Sequence, residues 1–234
     1  MVYYRPMNTP IQARFFRYLS HILFVLGISL ALMLATLPTK AAEAEIVLAS
    51  KTISLENRYA NTWVNDVFKD NILLTIAYMR GAEKTQSPDW NEVKKPFTYD
   101  FVLKPGETFA FHDTAYLQQY AQNVVKTTNA HYGGGEGFKS DGYLMGDGVC
   151  HLASLFYWAA VDANIEAVSP VNHDFAAIPQ IDKKYGVAIY SDPNNPATSK
   201  QQNLYIRNDQ AEPITFRVVY NGTSLTVEVL ESSY

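Results

Sequence analysis

The apolar residues between positions 56 and 80 recur at helical spacing. Ala60, Trp63, Val64, Val67 and Phe68 are followed by Leu73, Leu74, Ile76 and Ala77, with Gly81 as a stop. Asp70 and Asn71 interrupt that face and predict a break into two helices. Residues 43–56 read as a spacer with an apolar patch, IVLAS, and residues 82–96 as a polar loop. At Phe97 the period changes. FTYDFVLKPGETFAFHD alternates apolar with polar positions around PGE, which predicts two strands joined by a turn at Pro105 and Gly106. Residues 116–125 carry a helical pattern. A clearer amphipathic helix, ending near Asn164, is marked by Leu152, Leu155, Phe156, Ala159, Ala160 and Ala163. Strand-like runs follow at 166–171, 186–190, 203–207, 214–220 and 224–230, with SDPNNPATSKQQ as a long loop. Asn221 and Gly222 between the last two runs predict a two-residue type I′ hairpin. There is no internal repeat. A helix packed against a mainly antiparallel sheet makes the fold class α+β.

Ahead of this stands a segment of another kind. Arg5, Arg14 and Arg17 precede residues 19–37, which are apolar on every face apart from Ser20, His21, Gly27, Ser29 and Thr36, and PTKAAEAE follows. A basic start, an apolar stretch and small residues make an export signal. A stretch of roughly 20 residues also suffices to span a bilayer as an uncleaved anchor. A buried core helix is seldom so uniformly apolar. Arginines before the segment and none directly after it place the remainder outside the cytoplasm, secreted or anchored to the cytoplasmic membrane. The expected organisation is a signal peptide or N-terminal membrane anchor at 1–42, a helical lead-in and loop at 43–96, and a domain at 97–234.

Charge narrows the partners. Four of the 19 Lys and Arg residues, and none of the 23 Asp and Glu, lie in the first 42 positions, so the remainder carries 15 basic against 23 acidic residues, a net −8. That opposes nucleic acid, whose binding is dominated by cationic contacts to phosphate. It equally opposes loose attraction to an anionic surface, so a wall or membrane partner needs a specific site. The single cysteine cannot form an internal disulfide. Stability then rests on the core, to which the 13% aromatic content contributes. No cofactor is expected.

The lone cysteine sits in GDGVCHLASL, at the end of a stretch, 130–148, that holds seven of the chain's 12 glycines. So many glycines permit backbone approaches that side chains would block. Asp147 stands where a helix N-cap would be, which puts Cys150 in the first turn, where the helix dipole favours a thiolate. A nucleophilic thiol needs a base, and the candidates are His112 in FAFHD, His131, His151 and His173 in NHDF. His151 points about 100° away round the helix. His173 follows 23 residues later, beyond the helix, where the chain can return to the helix start. Three readings remain open for Cys150: a nucleophile, a small buried hydrophobe, or a metal ligand with His112, His151 or His173, although no zinc-type spacing is present. NGT at 221–223 matches a glycosylation sequon, but the hairpin turn accounts for it better.

LKPGETFAFHD, the glycine-rich loop, GDGVCHLASLFYWAAVDANIEAVSPVNHDF and QNLYIRNDQAEPITFRVVYNGTSLTVEVL together resemble the VanW family of bacterial, mostly exported proteins. The resemblance runs from about residue 97 to 230, so the domain at 97–234 is expected to be VanW-like. The family takes its name from gene clusters for vancomycin-type glycopeptide resistance, and its members often sit beside peptidoglycan-binding modules. The resemblance carries over Cys150 and His173 as the motif's cysteine and histidine. His151 stands where the family usually has Gln, and Tyr185 where it tends to have Asp; Asp174, Asp182, Asn172 and Asp113 are the candidates to replace that third member. The order Cys, His, Asp is similar to transglutaminase-like and papain-like thiol enzymes.

Two functions follow as expectations. One is thiol acyl transfer or hydrolysis on peptide or amide bonds of the cell wall, with Cys150 attacking, His173 as base and backbone N–H groups of the glycine loop as the oxyanion site. The other is a non-catalytic module that grips a cell-wall peptide or glycan through His112 and Asp113 of FAFHD, Tyr132, Asp147, Gly148 and His151. The enzyme requires thiol and imidazole within about 3–5 Å of one another. Export is directly measurable: a reporter fused after Ala44 is expected to gain activity outside the cytoplasm and to have none inside it.

Overall fold

In the computed structural model the described residues are Met1 and 44–233. Residues 43–56, expected as a spacer, instead contain strand β1 (Ala44–Ser54). It pairs antiparallel with β8 (Ser224–Ser233) from Ala44 opposite Ser233 to Ser54 opposite Ser224, with an irregularity between Val47 and Ala49. Strand β7 (Ile214–Tyr220) pairs with the other side of β8, and β2 (Phe97–Leu103) completes a four-stranded antiparallel sheet in the order β1-β8-β7-β2. Ile214, Phe216, Val218 and Tyr220 alternate inward along β7, the period of two that places one face of a strand on a core.

A second sheet is mixed. Strand β3 (Thr108–Ala110) pairs parallel with β4 (Val124–Lys126) and antiparallel with β6 (Tyr205–Arg207), which pairs antiparallel with β5 (Glu166–Val168). Residues 116–125, expected as a helix, make turns and part of β4. Their aromatic residues have sheet partners instead: Tyr120 stacks on Tyr205 with ring centroids 4.8 Å apart. The run at 186–190 forms no strand, although the amides of Ala188 and Tyr190 donate to the carbonyls of Val171 and Gln202.

Helices complete an α+β architecture. Helix α1 (Thr62–Met79) is continuous, so Asp70 and Asn71 do not break it. Both are buried and use their side chains outside the helix, Asp70 pairing with Lys94 (2.7 Å) and Lys139 (2.5 Å). A one-turn helix, α2 (Trp90–Val93), precedes β2. Helix α3 (Val149–Asp162) packs on α1, β1, β8 and β5. Its Phe156 meets Phe109 of β3 at 5.5 Å and Phe216 of β7 at 6.1 Å, while Phe101 of β2 stacks on Phe216 at 5.2 Å. One aromatic core therefore joins both sheets to α3.

The transmembrane expectation is corrected to this extent. Among the described residues no helix is long and apolar enough to cross a membrane, and the segment 1–42 for which a signal or anchor was expected lies outside them apart from Met1. The β7–β8 turn also differs from expectation. The Asn221 amide donates to the Ser224 carbonyl and only Gly222 has positive φ, +106°, so the turn is centred on Gly222 and Thr223 and is not type I′, which needs two positive φ values. The Asn221 side chain accepts from the amides of Thr223 and Ser224 and fixes the turn from within. Gly222→Val is expected to destabilise the fold by about 1–2 kcal/mol, read as a lowered denaturation midpoint, because a β-branched residue is strained at that φ.

Candidate functional site

The start of α3 is set by a close approach of two backbones. Gly148, at φ +97°, is its N-cap, and a Cβ there would lie 2.6 Å from the Phe68 carbonyl oxygen of α1. Only glycine fits both the angle and the gap. The expectation that Asp147 caps the helix is thereby corrected: its carboxylate accepts from the Asp141 amide (2.8 Å) within the preceding loop. Burial and the neighbouring Asp141 push the Asp147 carboxyl up to about 6.

Cys150 occupies the first turn of α3, as its position predicted, but its chemical state differs. Its sulfur accepts from the Ile189 amide at 3.4 Å and faces the Ile189 carbonyl at 3.9 Å. The residue keeps partial exposure, yet burial pushes its thiol up to about 11, against a smaller lowering by the Ile189 backbone. The helix start does not yield a thiolate here, because desolvation disfavours the charged form more than the dipole favours it.

His173 is buried, and no hydrogen bond joins it to Cys150; its Nδ1 has no partner. Burial also lowers its pKa. None of the candidate third members orients it. Asp182 caps the short turn Lys183–Tyr185, Asn172 donates to the Lys183 carbonyl, and Asp113 pairs with His131 at 2.7 Å. Asp174 is exposed and makes no hydrogen bond to the ring. Tyr185, at the place of the family's aspartate, bonds to Asp162 instead. The transglutaminase- or papain-like arrangement of Cys, His and carboxylate is therefore not formed. Among the described residues no three His, Cys, Asp or Glu side chains are grouped to hold a metal ion.

Cys150 and His173 nevertheless line one cavity of about 240 Å³, together with Tyr132, Asp147, Gly148 and His151. Asp174 and Asp182 line an adjoining cavity of about 230 Å³ that shares His173 and Phe175 with the first. His112 and Asp113 lie apart from both. His112 is bonded to the Gln202 carbonyl and the Thr114 amide, and burial lowers its pKa to about 4. Its buried backbone is held by the Asn203 side chain, which makes it part of the frame.

Tyr59, Phe68 and Phe175 of the cavity carried no functional signal that spacing alone reveals. Tyr59, Phe68, His151, His173 and Phe175 form a chain of rings, with successive centroids 4.8, 4.9, 6.0 and 4.0 Å apart. Phe175 ends the chain at 70% exposure, and the apolar loop residues Tyr143, Leu144 and Met145 are also exposed. The clue in the sequence was NHDF itself, a phenylalanine placed beside a histidine in a polar loop.

The model of the family described as VanW like protein matches residues 98–230, more than half of the chain. The chain belongs to the VanW-like family. No curated protein and no solved structure matches it. The VanW-like match spans β2 to Leu230 of β8 and takes in Cys150, His173 and the glycine loop, whereas Tyr59 and Phe68 of the ring chain precede it.

The state of the thiol is measurable. With a pKa near 11, the thiolate is on the order of 10⁻⁴ of Cys150 at pH 7, so alkylation by iodoacetamide is expected to be at least tenfold slower than in the unfolded chain and to keep rising above pH 9. A rate that levels off below pH 7 would mean an activated thiol.

Proposed function

We propose that this VanW-like protein is an exported, non-catalytic cell-envelope module that binds a fragment of the cell wall in the cavity at the start of α3. The observation that carries this reading is the chain of rings from Tyr59 to Phe175, with Phe175 largely exposed at its end. An exposed aromatic ring at the rim of an aromatic-lined cavity gives a ligand apolar area to cover, and such area is the usual source of binding energy in small sites. A neutral thiol and a neutral imidazole with no carboxylate behind it support binding over acyl transfer. The excess of acidic residues beyond position 42 means that affinity for an anionic wall comes from this site and not from net charge.

The test is a titration of the full chain with purified muropeptides. Saturable binding is expected, weakened about tenfold by Phe175→Ala, whose ring packs on His173 at 4.0 Å, and changed less than twofold by Cys150→Ala. New cleavage or transfer products that vanish in Cys150→Ala would overturn the reading in favour of thiol catalysis.

A further inference from the structure

One wall of the cavity is a loop bonded mainly to itself. Leu144 and Met145 line the cavity yet are 62% and 52% exposed, and Tyr143 before them is 91% exposed. The base of this loop is fixed. The Gly146 amide donates to the Lys139 carbonyl at 3.0 Å, Ser140 and Met145 form an antiparallel bridge, and the Asn71 side chain donates to the carbonyls of Lys139 and Asp147. Gly146, at φ +83°, packs so closely that a Cβ there would lie 2.9 Å from that of Tyr132. The tip has no such anchor. Among the described residues its hydrogen bonds stay within the loop: the Asp141 amide donates to the Asp147 carboxylate (2.8 Å), the Gly142 amide to Ser140 Oγ (2.9 Å) and the Tyr143 amide to the Asp141 carboxylate (3.2 Å). Gly142, at φ +110°, has open space around it, and Met145 Cε rests against Gly134, 3.6 Å from where a Cβ would stand.

Two carboxyl groups meet at the foot of this tip. Burial, and then the charge and side chain of Asp141, push the Asp147 carboxyl up to about 6, against a lowering by the Asp141 amide. Among the described residues no Lys, Arg or His pairs with either acid. Lys139, close by in the chain, turns to Asp70 and to the Trp90 ring. Two ionised carboxylates here repel each other without a counter-charge, and few bonds hold the tip against that force. We propose that residues 140–146 are a lid on the cavity, closed at acidic pH by the Asp141–Asp147 carboxyl pair and released as that pair becomes fully charged.

The closed lid binds the proton more tightly. Asp147 titrates near 6 when closed and falls toward its ordinary 3.8 once the tip swings out and water reaches it, so protonation favours closure and the gain is lost as pH rises through 6. From pH 5 to pH 7.5 the ratio of closed to open forms falls about tenfold. Of the other groups near Asp147, Cys150 of α3 and Tyr59 ahead of α1 have raised pKa values and stay neutral, and Arg58 beside Tyr59 stays charged. Burial lowers the pKa values of His151 and His173, and Asp174 next to His173 is exposed. An imidazolium at His173 would act against the trend by favouring the ionised Asp147.

The full chain, labelled with ¹³C-methyl methionine and ¹⁵N, is followed by NMR at pH 5 and pH 7.5. The nuclear Overhauser contact between the Met145 methyl and Gly134 is expected at pH 5 and at least threefold weaker at pH 7.5, where the Tyr143 and Leu144 amides become mobile on the nanosecond scale. Met79, buried in α1, serves as the unchanging reference. Asp147→Asn stands in for the protonated acid and is expected to keep the contact at both pH values. At a fixed pH 7.5, chymotrypsin cleavage after Tyr143 or Leu144, read by mass spectrometry, is expected to be about three- to tenfold slower in Asp147→Asn than in the wild type. Asp141→Asn keeps the oxygen that caps the Tyr143 amide and is expected to shift the opening to lower pH. An equal contact at both pH values in the wild type, a pH response that survives in Asp147→Asn, equal cleavage of those two proteins, or an unmoved response in Asp141→Asn would overturn the lid. The lid does not depend on what the cavity binds, so the muropeptide titration bears on the proposed function alone.

Discussion

One buried amide holds the site together. Asn71 of α1 accepts from the Lys139 amide at 2.9 Å and donates to the carbonyls of Lys139 (2.9 Å) and Asp147 (2.8 Å). These carbonyls stand at the two ends of the loop that leads into α3, so a single side chain closes the loop. The Gly146 amide adds a bond to the same Lys139 carbonyl, and Asp70 beside Asn71 pairs with the Lys139 ammonium. Buried amides of this kind cost free energy unless every partner is met, and here the partners are backbone groups that a loop would otherwise leave unpaired. With the loop closed, Gly148 packs against Phe68, the start of α3 is fixed, and the ring of His151 stands 4.9 Å from that of Phe68. The geometry of the cavity follows from α1 as much as from the glycine loop.

Burial at this site acts on both members of the expected catalytic pair, in opposite directions on the pH scale. It pushes the Cys150 thiol up to about 11 and lowers the pKa of His173. A thiolate–imidazolium pair needs the reverse order, with sulfur the stronger acid. The proton therefore stays on sulfur, and no orienting carboxylate reaches His173 to shift the balance.

Local periodicity made α3, β2, β7 and β8 legible, because each pairs one regular face with the core, and Cys150 was placed in the first turn of α3 by taking Asp147 as the N-cap, although Gly148 holds that position. Strand β1 was not legible. Ile46 and Val47 are exposed, and the strand exists through pairing with β8, close to the other end of the chain. Asp70 and Asn71 read as a helix break because a one-dimensional pattern has no place for a polar group that serves a loop about 70 residues away. The neighbourhood of Cys150 and His173 could be read from the family motif, but its acid–base state could not. That state depends on burial by the folded chain and on the Ile189 backbone beside the sulfur, which only the fold brings near.

The pairing of β1 with β8 has a mechanical side. Ala44 lies opposite Ser233 in an antiparallel ladder, so the chain enters and leaves this unit at the same end of one strand pair. A pull applied through those two points peels the rungs apart one after another, instead of loading them all together in shear. The unit therefore yields to stretching between its ends far more readily than its ten paired rungs would withstand if strained in parallel.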